Sequence, residues 1–211
     1  GLRAGVGIYD ITGPPQDVIF MGMANHAQDG AGVHFRLRAR AFAFESEGTH
    51  AAFVSIDAGM VGFVLKSRVI ARVNAALGAP TYSDVNLCVT ATHTHSGPSG
   101  FLQYTIFRFA GSGWVPSTVD AMVNGTAEAV LRAHASLADA TLTLSAATVA
   151  NASINRSPTA YLRNPHAERA KYGSGDVEES MVQLAVLGAT PAGLAARGVI
   201  NWHAVHPTSM N

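Results

Sequence analysis

The segment Ala51 to Thr90, AAFVSIDAGMVGFVLKSRVIARVNAALGAPTYSDVNLCVT, decides the fold class. Ala51–Asp57 is a short apolar run of strand length. Val61, Val64, Leu65, Val69, Val73 and Leu77 then recur at spacings of three and four, which makes one apolar stripe on a helix. Gly78 and Pro80 stop that helix, because glycine accepts the left-handed turn and proline cannot continue the ladder. Val85–Thr90 is a second apolar run. Strand, helix, strand in this order predicts a parallel β-α-β crossover, and such units bind ligands at the carboxyl ends of their strands. Asp57 and His93 are therefore expected on one rim.

Working outward, Phe35–Phe44 alternates with period two and then becomes wholly apolar, a strand buried towards its end. A turn at Glu45–His50 pairs it with Ala51–Asp57 as a hairpin, so the sheet is mixed. Val6–Thr12 reads as a first strand closed by Gly13-Pro14-Pro15. Ser117–Ala138 reads as a second helix with Ser117 as its N-cap. Thr141–Val149, Met181–Leu187 and Gly198–Trp202 read as further strands. The expected fold is α/β: a mixed sheet with a β-α-β unit, flanking helices and long active-site loops. Those loops, Asp17–Gly32, Gly97–Pro116 and Asn155–Gly175, exceed what a minimal domain needs, and such loops carry function.

The chain has 211 residues, enough for one domain with a substantial core, and shows no internal repeat. Only 13% of residues are charged, about half the usual share. High Ala and Gly content explains this, as would a surface covered by further chain. The formal net charge is zero, so no overall electrostatic footprint for nucleic acid or anionic lipid is expected. The single Cys88 lies in an apolar run and is expected to be a small core residue. No apolar run approaches the roughly 20 residues of a membrane-spanning helix. Gly1–Gly7 has no cationic segment followed by an apolar one, so any export signal is expected to have been removed or never present.

The chemistry concentrates in Ala91-Thr92-His93-Thr94-His95-Ser96-Gly97-Pro98, at the exit of the second crossover strand. Two imidazoles two residues apart project from one side of an extended backbone. Trp202-His203-Ala204-Val205-His206-Pro207 ends another strand in the same way. His203 and His206, three apart, face opposite sides of an extended strand, so they do not readily share one ion. His93 and His206 are the better zinc-ligand candidates. His95 suits a polar contact to a substrate oxygen or to the attacking water, or else support of His93. Arg156 could hold a substrate carbonyl or hydroxyl, and Gly22 could turn a backbone N–H towards an oxyanion, though each is also an ordinary loop residue. Asp57 could be a metal ligand, a partner to an imidazole, or the cap of the helix beginning near Val61. Ser96 lacks a nucleophile elbow and reads as a hydrogen-bonding turn residue. His26, His34, His50, His134 and His166 show no functional spacing. Phe101, Leu102, Ile106 and Phe107 fit either a lipid-accepting groove or the core.

Taken in order, Gly5-Val6-Gly7 with Asp10-Ile11-Thr12-Gly13, Met21-Gly22, Arg40-Ala41-Phe42, Asp57-Ala58-Gly59-Met60, the His93 block with Gln103-Tyr104, Asn155-Arg156-Ser157-Pro158, Asn164-Pro165, and Trp202–His206 with Ser209-Met210 resemble the neutral (alkaline, non-lysosomal) ceramidases. The resemblance covers essentially the whole chain. It implies a zinc-dependent amidase that splits ceramide into sphingosine and a fatty acid. His93 and His206 match zinc-binding histidines, His95 and Arg156 match residues that hold the substrate amide, and Gly22 matches a glycine lining the active site. The family usually has an aromatic where this chain has His203. The resemblance also implies that residues 1–211 are the N-terminal portion of a longer catalytic domain. A glutamate and a tyrosine completing the zinc shell, a catalytic serine and an immunoglobulin-like domain have no counterpart here, so these residues alone are expected to be inactive. Further expectations are a peripheral contact with a membrane surface and a secreted location or one on the extracellular or periplasmic face. The alternatives are a zinc amidase for another N-acyl lipid and a non-catalytic lipid- or metal-binding module.

Overall fold

A computed structural model describes residues 1–23, 25–111, 113–173 and 175–207, the side chain of residue 26 excepted. The chain divides into two compact units, one of Gly1–Ala140 with Pro207 and one of Thr141–His206.

The first unit holds a five-stranded sheet ordered β4-β3-β2-β1-β5, made of Leu2–Asp10 (β1), Arg38–Ser46 (β2), Thr49–Ile56 (β3), Leu87–Ala91 (β4) and Ala138–Asp139 (β5). β2 and β3 form the expected antiparallel hairpin, and β3 and β4 pair in parallel, Ala52 opposite Leu87 and Ile56 opposite Ala91. The crossover helix α1, Phe63–Leu77, turns Leu65, Val69 and Val73 into the core. It ends at Gly78 with φ 67°, where the Ala79 N–H donates back to the Asn74 carbonyl. Asn74 then holds the following loop by two bonds to the Tyr82 backbone, 2.7 and 2.9 Å.

Helix α3, Pro116–Ala135, packs on β1 and β2 and against α1. Its approach to β1 is set by missing side chains. A Cβ on Gly5 would collide with the Ala133 carbonyl, one on Gly7 with that of Ala129, and one on Gly125 with that of Asp10. Glycines on both elements let backbone meet backbone, and Val119, Met122 and Val130 are fully buried along the helix. Beyond it, the Tyr82 hydroxyl lies 3.1 Å from His134 Nδ1, and the His134 and His50 rings stand 5.2 Å apart. Burial pushes the Tyr82 phenol up to about 12. Burial, followed by the neighbouring His50 charge, lowers His134 below the ordinary imidazole range.

The second unit is an antiparallel sheet ordered β6-β7-β8: Thr141–Thr148, Ser180–Thr190 and Gly193–His203. β7 and β8 form the final strand pair, with a register shift at Val186/Leu187.

Several expectations change. Ser117 lies inside α3, whose N-cap is Val115 with no side-chain bond, because Pro116 takes the first turn, where its missing N–H costs nothing. Cys88 is exposed, since β4 is an edge strand and Cys88 points away from the core that Leu87 fills. Phe35 and Val85 lie outside the strands and are 68% and 96% exposed. Loop 155–175 contains two short helices, Pro158–Leu162 (α4) and His166–Arg169 (α5), and loop 97–116 contains α2, Thr105–Ala110. Phe101 and Leu102 are core residues, whereas Ile106 is exposed. No helix among the described residues is long and apolar enough to cross a membrane.

Candidate functional site

The rim of β3 and β4 builds the site. The Thr92 N–H donates to the Ile56 carbonyl at 3.0 Å, after which His93 adopts φ 60°. A side chain in this left-handed region costs about 1–2 kcal/mol, which neighbouring contacts must offset. One such contact is His93 Nδ1, 2.6 Å from the Gly59 carbonyl. A carbonyl only accepts, so Nδ1–H is the donor here, and Nε2 is the ring nitrogen turned towards His95. Outer contacts of this kind fix the tautomer of metal-binding histidines. Gly59 is glycine because a Cβ there would sit 2.6 Å from Met21 Cγ. Sequence reading did not single out Gly59; its only trace was the quoted block Asp57-Ala58-Gly59-Met60.

His95 Nε2 lies 3.3 Å from His93 Nε2, with the rings edge-on at 87°. Two nitrogens bound to one tetrahedral zinc at about 2.0–2.1 Å stand about 3.4 Å apart, so this pair suits a ring-to-ring hydrogen bond or a shared ion. Gly22, at φ 83°, seats the second ring: a Cβ there would be 2.5 Å from His95 Cε1. The structure thus brings Gly22, His93 and His95 together. The loop bearing Gly22 is tied down by Met21 N–H to the Gly97 carbonyl at 3.0 Å and Ser99 N–H to the Ile19 carbonyl at 2.9 Å. Ser96 donates its N–H to Thr94 Oγ1 at 3.2 Å, as a turn residue does.

Asp57 shares the rim but faces β2. Its carboxylate accepts the Arg38 N–H at 2.9 Å and the Arg40 guanidinium at 2.8 Å. The cap of α1 is Gly62, with no side-chain bond, so Asp57 is not a helix cap. Beside the motif runs a groove of about 340 Å³, lined by Val18, Phe20, Phe35, Leu37, Ser96 and Pro207 among others.

Arg156 and His206 belong to the second unit. Arg156 is exposed in a turn that Asn155 Oδ1 closes by accepting the Ser157 N–H at 2.8 Å. His203 donates Nδ1–H to the Ser180 carbonyl at 3.1 Å at the end of β8, a structural use of that ring. His206 follows as an exposed residue. Within the first unit, His93 and His95 together offer two imidazole nitrogens to a metal ion.

Residues 2–211 match the family described as neutral/alkaline non-lysosomal ceramidase, N-terminal. The chain is 45% identical over 210 residues to the neutral ceramidase of Drosophila melanogaster, covering 99% of this chain and 29% of that one. It is 40% identical over 208 residues to neutral ceramidase 2 of Arabidopsis thaliana, covering 98% and 27%. Among solved structures, the neutral ceramidase from Pseudomonas aeruginosa superposes with TM-score 0.88 at 35% identity, over 100% of this chain and 32% of that one. A ceramidase complexed with C2 superposes with TM-score 0.90 at 36% identity, over 99% and 32%. The chain therefore spans less than a third of the curated relatives it matches.

Proposed function

Because this chain belongs to the neutral/alkaline non-lysosomal ceramidase family, we propose that it is the N-terminal part of a zinc-dependent amidase cleaving the N-acyl bond of ceramide. The products are sphingosine and a fatty acid. The observation that carries the reading is the bond from His93 Nδ1 to the Gly59 carbonyl, which leaves Nε2 as a fixed metal donor. His93 and His206 are the zinc ligands. When bound, the zinc these residues hold would lower the pKa of a water towards neutrality.

The chain's own residues supply the rest. His95, held against Gly22, contacts the substrate amide and directs a proton at that point. The Gly22 backbone lines the same place, where an N–H can face the developing oxyanion. Arg156 anchors the substrate through its guanidinium. His93 and His206 are two ligands where catalytic zinc usually has three from protein, so the 211 residues alone hydrolyse ceramide poorly or not at all. The working enzyme acts outside the cytosol, at a membrane surface where its substrate resides.

A chimera tests the reading. These 211 residues replace the matching segment of the Drosophila melanogaster neutral ceramidase, and ceramide hydrolysis is compared with hydrolysis of an N-acyl amino acid. Ceramide turnover that disappears on His93→Ala supports the proposal. A folded chimera that prefers the N-acyl amino acid, or whose His93→Ala variant still turns over, overturns it.

A further inference from the structure

Helix α2 has no buried residue. Phe107 alone turns inward, its ring 6.3 Å from that of Tyr104. Ile106 and Phe109, three residues apart and so on one face, are 73% and 92% exposed. Phe63 at the start of α1 is 63% exposed. Gln103, which precedes α2, packs against the start of α1, where a Cβ on Gly62 would lie 2.6 Å from its Oε1. Single exposed apolar residues are ordinary, but a group of them marks an interaction surface.

Beside this group is a depression of about 340 Å³ lined by Val64, Arg68, Gln103, Arg108 and Trp114. The Arg68 guanidinium stands 5.8 Å from the Trp114 ring centroid. Among the described residues, no carboxylate forms an ion pair with Arg68 or Arg108. The charge is set on a larger scale too. Residues 58–119 contain Lys66, Arg68, Arg72 and Arg108 but only one acidic residue, Asp84, in a chain of zero net charge. Asp84 is itself 3.7 Å from Lys66.

Exposed apolar side chains, a tryptophan and arginines free of carboxylates complement a surface that offers phosphates above hydrocarbon. We propose that α2 and the first half of α1 dock on a phospholipid surface. Ile106 and Phe109 enter the headgroup boundary, and Arg68 and Arg108 hold lipid phosphates.

The test is sedimentation of this chain with vesicles of phosphatidylcholine mixed with phosphatidylglycerol, and of phosphatidylcholine alone. It reads binding without turnover, so its outcome is independent of the amidase reading. The chain should sediment with the mixed vesicles and more weakly with phosphatidylcholine alone. Ile106→Ser with Phe109→Ser should weaken partitioning at least about tenfold, given the apolar area withdrawn from water. Arg68→Gln with Arg108→Gln should remove most of the preference for the anionic vesicles. Both pairs of changes lie on the surface, and circular dichroism confirms that the variants fold. The proposal fails if the native chain ignores both vesicles or if either double variant sediments as the native chain does. It also fails if the serine pair abolishes only self-association seen by gel filtration, since the face would then be a protein interface.

Discussion

Replacing Gly7 by Ala tests how the sheet and α3 meet. The added Cβ would run into the Ala129 carbonyl and lie 2.6 Å from the Ala133 nitrogen and 2.9 Å from Arg132 Cβ. Two of these atoms are backbone and cannot rotate away, so the helix must retreat by roughly 1 Å in an interior packed as densely as a crystal. Overpacking of this kind costs about 1–3 kcal/mol. Against it, Ala in a strand is about 0.5–1 kcal/mol better than Gly. The clash wins, with a net loss of about 1–2 kcal/mol, or roughly 2–8 °C in Tm for a chain of this size. Denaturant unfolding followed by Trp114 fluorescence in a Trp202→Phe background reads the first unit. Gly32→Ala is the control, because its Cβ meets nothing within 4 Å. Equal stability of the two variants would refute the argument for close β1–α3 packing.

Gly22→Ala should strain a backbone at φ 83° by about 1–2 kcal/mol and displace the His95 ring, shifting its imidazole resonances in ¹⁵N NMR spectra. Unmoved His95 resonances would separate Gly22 from that ring. The His134 region predicts a pH response. Its folded pKa is lowered, so the unfolded chain binds more protons below the ordinary imidazole value of about 6.5. Stability should be full above that pH and fall as pH drops through the folded value. In His134→Gln, unfolding free energy plotted against pH should be flatter over that window; an unchanged slope would exclude His134 as its source. Glu45 opposes the shift and Arg3 reinforces it, so Glu45→Gln should steepen the fall.

Much of the architecture is legible because it rests on periodicity. The stripe from Val61 to Leu77, the Gly78 stop and the two flanking apolar runs dictate the parallel β3–β4 pair with little help from tertiary context. Edges and caps are less legible. Cys88 sits in a run as apolar as any buried strand, but β4 lies at the sheet edge, and sequence does not reveal strand order. Ser117 has the right chemistry for a cap, but Pro116 starts the helix one residue earlier. The Gly5-Val6-Gly7 motif was visible, yet its reason, the close approach of α3, needed three dimensions. In the site, the His93–His95 spacing announced two neighbouring imidazoles. The positive φ of His93 and its Gly59 anchor were hidden, because a backbone carbonyl carries no side-chain signature.

Zinc affinity of the 211-residue chain, measured by competition with a chromophoric chelator, bears most directly on the metal assignment. One ion should bind per chain. His93→Ala and His206→Ala should each weaken binding by more than the roughly 10–100-fold that outer partners of a metal site are worth. A His206→Ala chain that holds zinc as tightly as the native one would contradict the shared site.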